Sequence, residues 1–226
     1  MKRRPAALAA DLAVVLVAIG CAWQLTKWVL YPALGVPDNA PMILRPILGF
    51  LAAWAVLRWR GEGWDSVGLR RPPKLWIAGA VAVALYLANL ALSAWVVPLL
   101  AQWVAPVQRP SFFDYVRGNL GGFLTWLAIG VIVGGFIEEL LFRGFLLNRI
   151  ADLLGGTKAA LMAAVVAQAV LFGMLHLYGG GFAFLFAAVF ALANGAFYLA
   201  AGRNLWPLIV VHGVWNSVQI WQLYRS

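Results

Sequence analysis

Charge is scarce in this chain. Only 11% of its 226 residues are Asp, Glu, Lys or Arg, while 64% are hydrophobic and the mean hydropathy is +0.86. A water-soluble core of this length cannot cover that much apolar surface, which excludes a soluble enzyme with a sizeable domain. Cysteine is almost missing: Cys21 alone rules out an intrachain disulfide framework and any multi-cysteine zinc or iron–sulfur centre. Acids number 8 against 17 bases, a net charge of +9. In a soluble protein such a surplus points to nucleic acid, but in a membrane protein it is an orientation signal, so no nucleic-acid partner is expected. β-Barrel alternation is also missing.

What is present is apolar sequence in long runs. Stretches at 6–29, 43–59, 75–100, 120–141, 159–177, 182–201 and 205–223 read as membrane helices. The expected fold is all-α: a polytopic transmembrane bundle of about seven spans, with eight possible. The first three spans and their connections, 1–118, form an N-terminal part, and 119–226 forms the part with chemistry in it. Lys2, Arg3 and Arg4 before the first run read as an uncleaved signal anchor. Cys21 is expected to be a buried structural residue. The segment 101–118, with Pro106, Pro110, Phe113 and Tyr115, is expected to be an amphipathic interfacial helix.

Alternate loops differ sharply in basic residues. One side holds Lys2, Arg3, Arg4, Arg58, Arg60, Arg70, Arg71, Lys74, Arg149, Lys158 and Arg203; the other holds Lys27, Arg45, Arg109, Arg117 and Arg225. The richer side is expected in the cytoplasm, with the N-terminus, in the inner membrane of a prokaryote. Lipid is the obvious partner of such a surface. Oligomeric state is not legible.

The scarce ionisable groups are concentrated where insertion penalises them. Glu138 and Glu139, two of only three glutamates, and both histidines, His176 and His212, lie in apolar runs. A charge at bilayer depth costs about 2.5–3.5 kcal/mol on insertion scales, so such a cluster is a functional hypothesis by default. Glu139 and Arg143 are four apart on one helix face and can neutralise each other. Glu138 is rotated about 100° away and is free to face a cavity. His212 and Asn216, also four apart, can aim two donors at one oxyanion. Measured from a turn at Gly155-Gly156, Glu138 and His176 fall within one helical turn of the same height, with His212 lower and Asn216 closer.

Glu-Glu-x-x-x-Arg, Phe-x-x-x-His and His-x-x-x-Asn, in that order on successive apolar helices, resemble the CPBP intramembrane proteases, also called the ABI or CAAX-protease-like family. The resemblance covers about 120–220. It implies a site opening toward the cytoplasm and hydrolysis of a peptide bond in a membrane-associated protein or peptide, as in CAAX prenyl endopeptidases. Carried over, Glu138 and His176 activate a water, His212 and Asn216 stabilise the oxyanion, and Glu139 with Arg143 supports the site.

The chemistry of the residues agrees with that reading. Amide hydrolysis needs a base for water, stabilisation of the tetrahedral oxyanion and a proton for the leaving amine. No serine stands in a Gly-x-Ser-x-Gly setting, and Cys21 is remote from both histidines. Two versions stay open: a glutamate base that requires no cofactor, which is preferred, and a zinc site built from Glu138, His176 and His212. Two other classes use the same cluster differently. One is a proton-coupled transporter, against which stands the lack of an inverted repeat; the other is a non-catalytic immunity or scaffold protein.

Overall fold

The computed structural model describes residues 4–34, 40–105 and 111–226; Lys2, Arg3, Pro106, Arg109 and Pro110 lie outside them. Long helices follow one another with no strand among the described residues. They are α1 (Pro5–Ala33), α2 (Ala40–Trp59), α3 (Leu75–Trp103), α4 (Leu120–Leu153), α5 (Lys158–Leu175), α6 (Gly180–Ala200) and α7 (Trp206–Tyr224). The protein is an all-α polytopic bundle. Six of these helices are long and apolar enough to cross a membrane. The exception is α7, which carries His212, Asn216, Ser217, Gln219 and Gln222 and is correspondingly less apolar.

Local signals set the helix ends. The Asn119 side chain accepts from the Gly122 amide at 3.1 Å to start α4, and Thr157 accepts from the Ala160 amide at 3.1 Å to start α5. Between α4 and α5 the chain reverses through Gly155 and Gly156 at φ 95° and 70°, a conformation that favours glycine. Pro207 sits in the first turn of α7, where a missing amide hydrogen costs nothing.

The middle of α4 is the pillar of the bundle. Every residue from Leu140 to Arg149 is buried. One side of this stretch, with Leu141, Phe142, Phe145 and Leu146, packs on α1, α2, α5 and α6; the other, with Leu140, Leu147 and Ala151, packs on α3, α5, α6 and α7. Large apolar side chains on the outer faces, such as Val17, Leu87, Val166 and Val210, are exposed in a way that only a lipid surround favours.

An ion network ties the start of α1 to the end of α4. Arg60 donates to Asp11 Oδ1 at 2.7 Å; Arg149 lies 3.5 Å from Asp11 Oδ2 and donates to Glu62 Oε2 at 2.9 Å. Nearby, Asn148 donates to the Tyr198 hydroxyl at 2.8 Å, which donates to the Val67 carbonyl at 2.9 Å. The 60–74 segment is thereby fastened to α1, α4 and α6.

Three expectations are corrected. Cys21 is exposed on α1, because it falls on the stripe of that helix opposite Val15, Ile19 and Ala22, which face α2. Before α4 there is a short 3₁₀ turn, Ser111–Val116, and no long amphipathic helix within the described part of 101–118. The fourth helix does not end near residue 141 but runs to Leu153, since the buried polar residues after it remain helical. At 1.5 Å per residue α4 is roughly 50 Å long, well beyond a ~30 Å hydrocarbon layer.

Candidate active site

Two widened, π-helical stretches in α4, Gly130–Ile137 and Leu140–Leu146, flank Glu138 and Glu139. Such a turn takes an extra residue and re-aims the side chains after it, and it recurs at functional positions. Here it turns the two adjacent carboxylates to different neighbourhoods. Glu138 lines a cavity of about 260 Å³; Glu139 is fully buried beside it.

Glycines bring α7 close enough to complete the cavity. A Cβ on Gly135 would lie 2.9 Å from the Gly213 backbone, and one on Gly134 would strike the Asn216 amide. That close approach places His212, Asn216 and Gln219 of α7 in the cavity wall opposite Glu138. At the turn between α5 and α6, His176 and Tyr178 close another side. Glu138, His176, His212 and Asn216, singled out in the sequence from three separate helices, therefore line one cavity.

Both imidazoles are oriented by their Nδ1 atoms. His176 Nδ1 lies 2.9 Å from the Phe172 carbonyl oxygen, which can only accept, so Nδ1 carries the proton and Nε2 of the neutral ring presents a lone pair. His212 Nδ1 lies 2.8 Å from Glu139 Oε1, and Arg143 donates to the same oxygen at 3.0 Å. A carboxylate held by a guanidinium is an acceptor, so His212 donates through Nδ1 and turns Nε2 toward Gly134 and the cavity. Sequence spacing paired Glu139 with Arg143 but missed His212 as its third partner. His212 thus stands level with Glu139, not lower in the bundle.

Arg143 is fully buried, and its guanidinium also lies over the Phe172 ring at 4.7 Å. Asn216 donates to the Gly130 carbonyl at 2.9 Å, which leaves its second N–H for a ligand. Arg45 of α2 donates to the Leu175 carbonyl at 3.0 Å, holding the end of α5 on which His176 sits. Arg45 and Tyr178 escaped the sequence reading. A basic residue just inside an apolar span, and a Tyr-Gly-Gly-Gly break two residues after a histidine, were the available signals.

Among the described residues no three His, Cys, Asp or Glu side chains are grouped to hold a metal ion. Of the nearby carboxylates, Glu139 is spent on Arg143 and His212.

The cavity wall extends along α4 and α7 to Met42, Phe113, Trp126, Ile220 and Leu223. These lie at the end of the bundle opposite the basic loops.

Residues 120–218 match the family model described as "Type II CAAX prenyl endopeptidase Rce1-like". No curated protein and no solved structure matches the chain.

Proposed function

We propose, from the match of residues 120–218 to this CAAX-protease family model, that the chain is an intramembrane endopeptidase of the CPBP type in which Glu138 activates the hydrolytic water. The observation that carries this reading is the shared cavity: a carboxylate from α4, an imidazole from the α5–α6 turn and an imidazole and amide from α7 face one space. The proposed catalytic core is 119–226, with 1–118 supplying flanking helices.

In this mechanism Glu138 takes a proton from a water whose other hydrogen is accepted by His176 Nε2. The water oxygen attacks the peptide carbonyl. The developing oxyanion receives the free N–H of Asn216 and, when the His212 ring carries both protons, its Nε2–H; Glu139 lies where it neutralises that added charge. Glu138 then returns its proton to the leaving amine as the C–N bond breaks. Glu139 and Arg143 act through His212 as positioning residues. No metal takes part in these steps. The substrate is a membrane-associated protein or peptide, and the protein resides in the inner membrane of a prokaryote with its N-terminus in the cytoplasm.

The test is cleavage by purified Glu138→Ala, His176→Ala and His212→Ala variants in lipid. Each is expected to insert and to lose activity. Full activity of Glu138→Ala would refute the assignment.

A further inference from the structure

The basic side chains at the loop end of the bundle fall into two groups. Arg60 and Arg149 are engaged by Asp11 and Glu62. Arg70, ahead of α3, and Arg203, in the turn between α6 and α7, are not: among the described residues neither is ion-paired with a carboxylate. Both line one polar pocket of about 400 Å³, together with Ser66, Asn148, Tyr198 and Gly202. No Asp or Glu among the described residues lines it. The acid nearest its rim is Glu62, which the Ser66 hydroxyl approaches at 3.3 Å and which accepts from Arg149 at 2.9 Å.

The chain builds this pocket from two separate segments. The Leu205 amide donates to the Gly68 carbonyl at 3.0 Å, Asn204 Nδ2 to the Arg70 carbonyl at 2.9 Å, and Arg70 Nη2 to the Gly202 carbonyl at 2.9 Å. These bonds fasten 68–70 to the α6–α7 turn, so that two arginines far apart in sequence face one space. A Cβ on Gly68 would lie 2.6 Å from the Arg203 carbonyl oxygen and 2.8 Å from the Tyr198 hydroxyl, an approach that only glycine admits. The floor is buried and already satisfied: Asn148 donates to the Tyr198 hydroxyl, and that hydroxyl to the Val67 carbonyl. Arg203 itself is held at φ 59°, the left-handed region where a residue with a Cβ is strained.

A guanidinium carries five N–H donors in a planar fork. Arg203 commits one to Asn148 Oδ1 at 3.4 Å, and Arg70 one to Gly202; the rest of each fork is left for a ligand. A planar carboxylate fills a single fork with its two oxygens, whereas the tetrahedral oxygens of a phosphate serve two forks at once. We propose that the pocket between the 68–70 segment and the α6–α7 turn binds a phosphate group, held by Arg70 and Arg203. That group is carried either by the headgroup of an anionic glycerophospholipid, which the position at the helix ends favours, or by a soluble phosphate. Asn148 also donates to the Arg143 and Gly144 carbonyls at 3.2 and 2.6 Å, so the floor is continuous with the stretch of α4 that carries Arg143. Binding therefore stabilises the fold, whatever reaction the protein performs.

The test uses the purified full chain in a maltoside detergent, which carries no phosphate, titrated with phosphatidylglycerol, glycerol 3-phosphate or inorganic phosphate at matched ionic strength. Native mass spectrometry counts what is retained, and the melting temperature is followed in parallel. Wild type is expected to retain one phosphatidylglycerol and to melt higher with it. Arg70→Gln/Arg203→Gln is expected to weaken binding about 10–100-fold. Arg58→Gln/Lys158→Gln removes two exposed charges from the same end outside the pocket and is expected to bind as wild type does. Retention of the lipid alone identifies a headgroup as the occupant; equal retention of a soluble probe identifies a soluble phosphate, and both results support the pocket. Equal weakening in the two Gln pairs, or no retention of any of the three probes, overturns the proposal. Should Arg70→Gln/Arg203→Gln fail to fold, Arg70→Lys/Arg203→Lys decides: it keeps the charge but lacks the fork, weaker binding is expected, and binding equal to wild type overturns the proposal.

Discussion

Glu138 and Glu139 are neighbours in the chain with different work to do, and single substitutions separate them. Glu138→Gln keeps the shape of the side chain but removes the base; the expected loss in cleavage rate is about 10²–10⁴-fold, with unchanged thermal stability. Arg143→Ala leaves the Glu139 carboxylate buried without its guanidinium, a defect that costs about 3–5 kcal/mol in buried ion pairs. Its expected signature is a lowered melting temperature and yield in detergent. Glu139→Gln is expected to lower both stability and kcat, because it weakens the grip on Arg143 and frees the His212 ring to turn. Unchanged melting in both supporting variants would remove their structural role. The i,i+4 spacing made the Glu139–Arg143 pair legible in sequence. His212 as third partner was not legible, since a contact between residues 73 apart depends on how two helices pack.

At the level of helices, α4 and α7 meet through glycine, and the site depends on that seam. Gly135→Ala would set a methyl group 2.9 Å from the Gly213 backbone. Overpacking of this kind costs about 1–3 kcal/mol and pushes the helices apart. Gly134→Ala collides instead with the Asn216 side chain, which can move, so it is expected to lower cleavage more than stability. Comparing melting temperature with kcat in the two variants checks the distinction. Apolar runs located the helices in the sequence to within a few residues, except that α4 continues twelve residues past the expected 141. That extension hid because Arg143, Asn148 and Arg149 look like loop residues until their burial and partners are seen. The widened turns around Glu138 were invisible for a different reason. A helix that is apolar on all sides carries no stripe whose period would betray an extra residue.

For the whole molecule, few charges in a large apolar mass sort into three uses. Ion pairs at the basic end fasten α1 and the 60–74 segment to α4; further basic side chains gather at that same end; and the carboxylates and imidazoles of the far half surround a cavity. A protein working with Glu138 as its base should keep its activity after dialysis against a strong chelator. Loss on chelation followed by recovery with added zinc would contradict a metal-free site. The most direct measurement is made without knowing the substrate: purified protein in lipid is incubated with membranes from cells that lack it, and newly formed N-termini are counted by mass spectrometry. Wild type is expected to generate a defined set of cuts in membrane-associated polypeptides that folded Glu138→Gln does not make. The same cuts from both proteins would contradict hydrolysis by a Glu138-activated water.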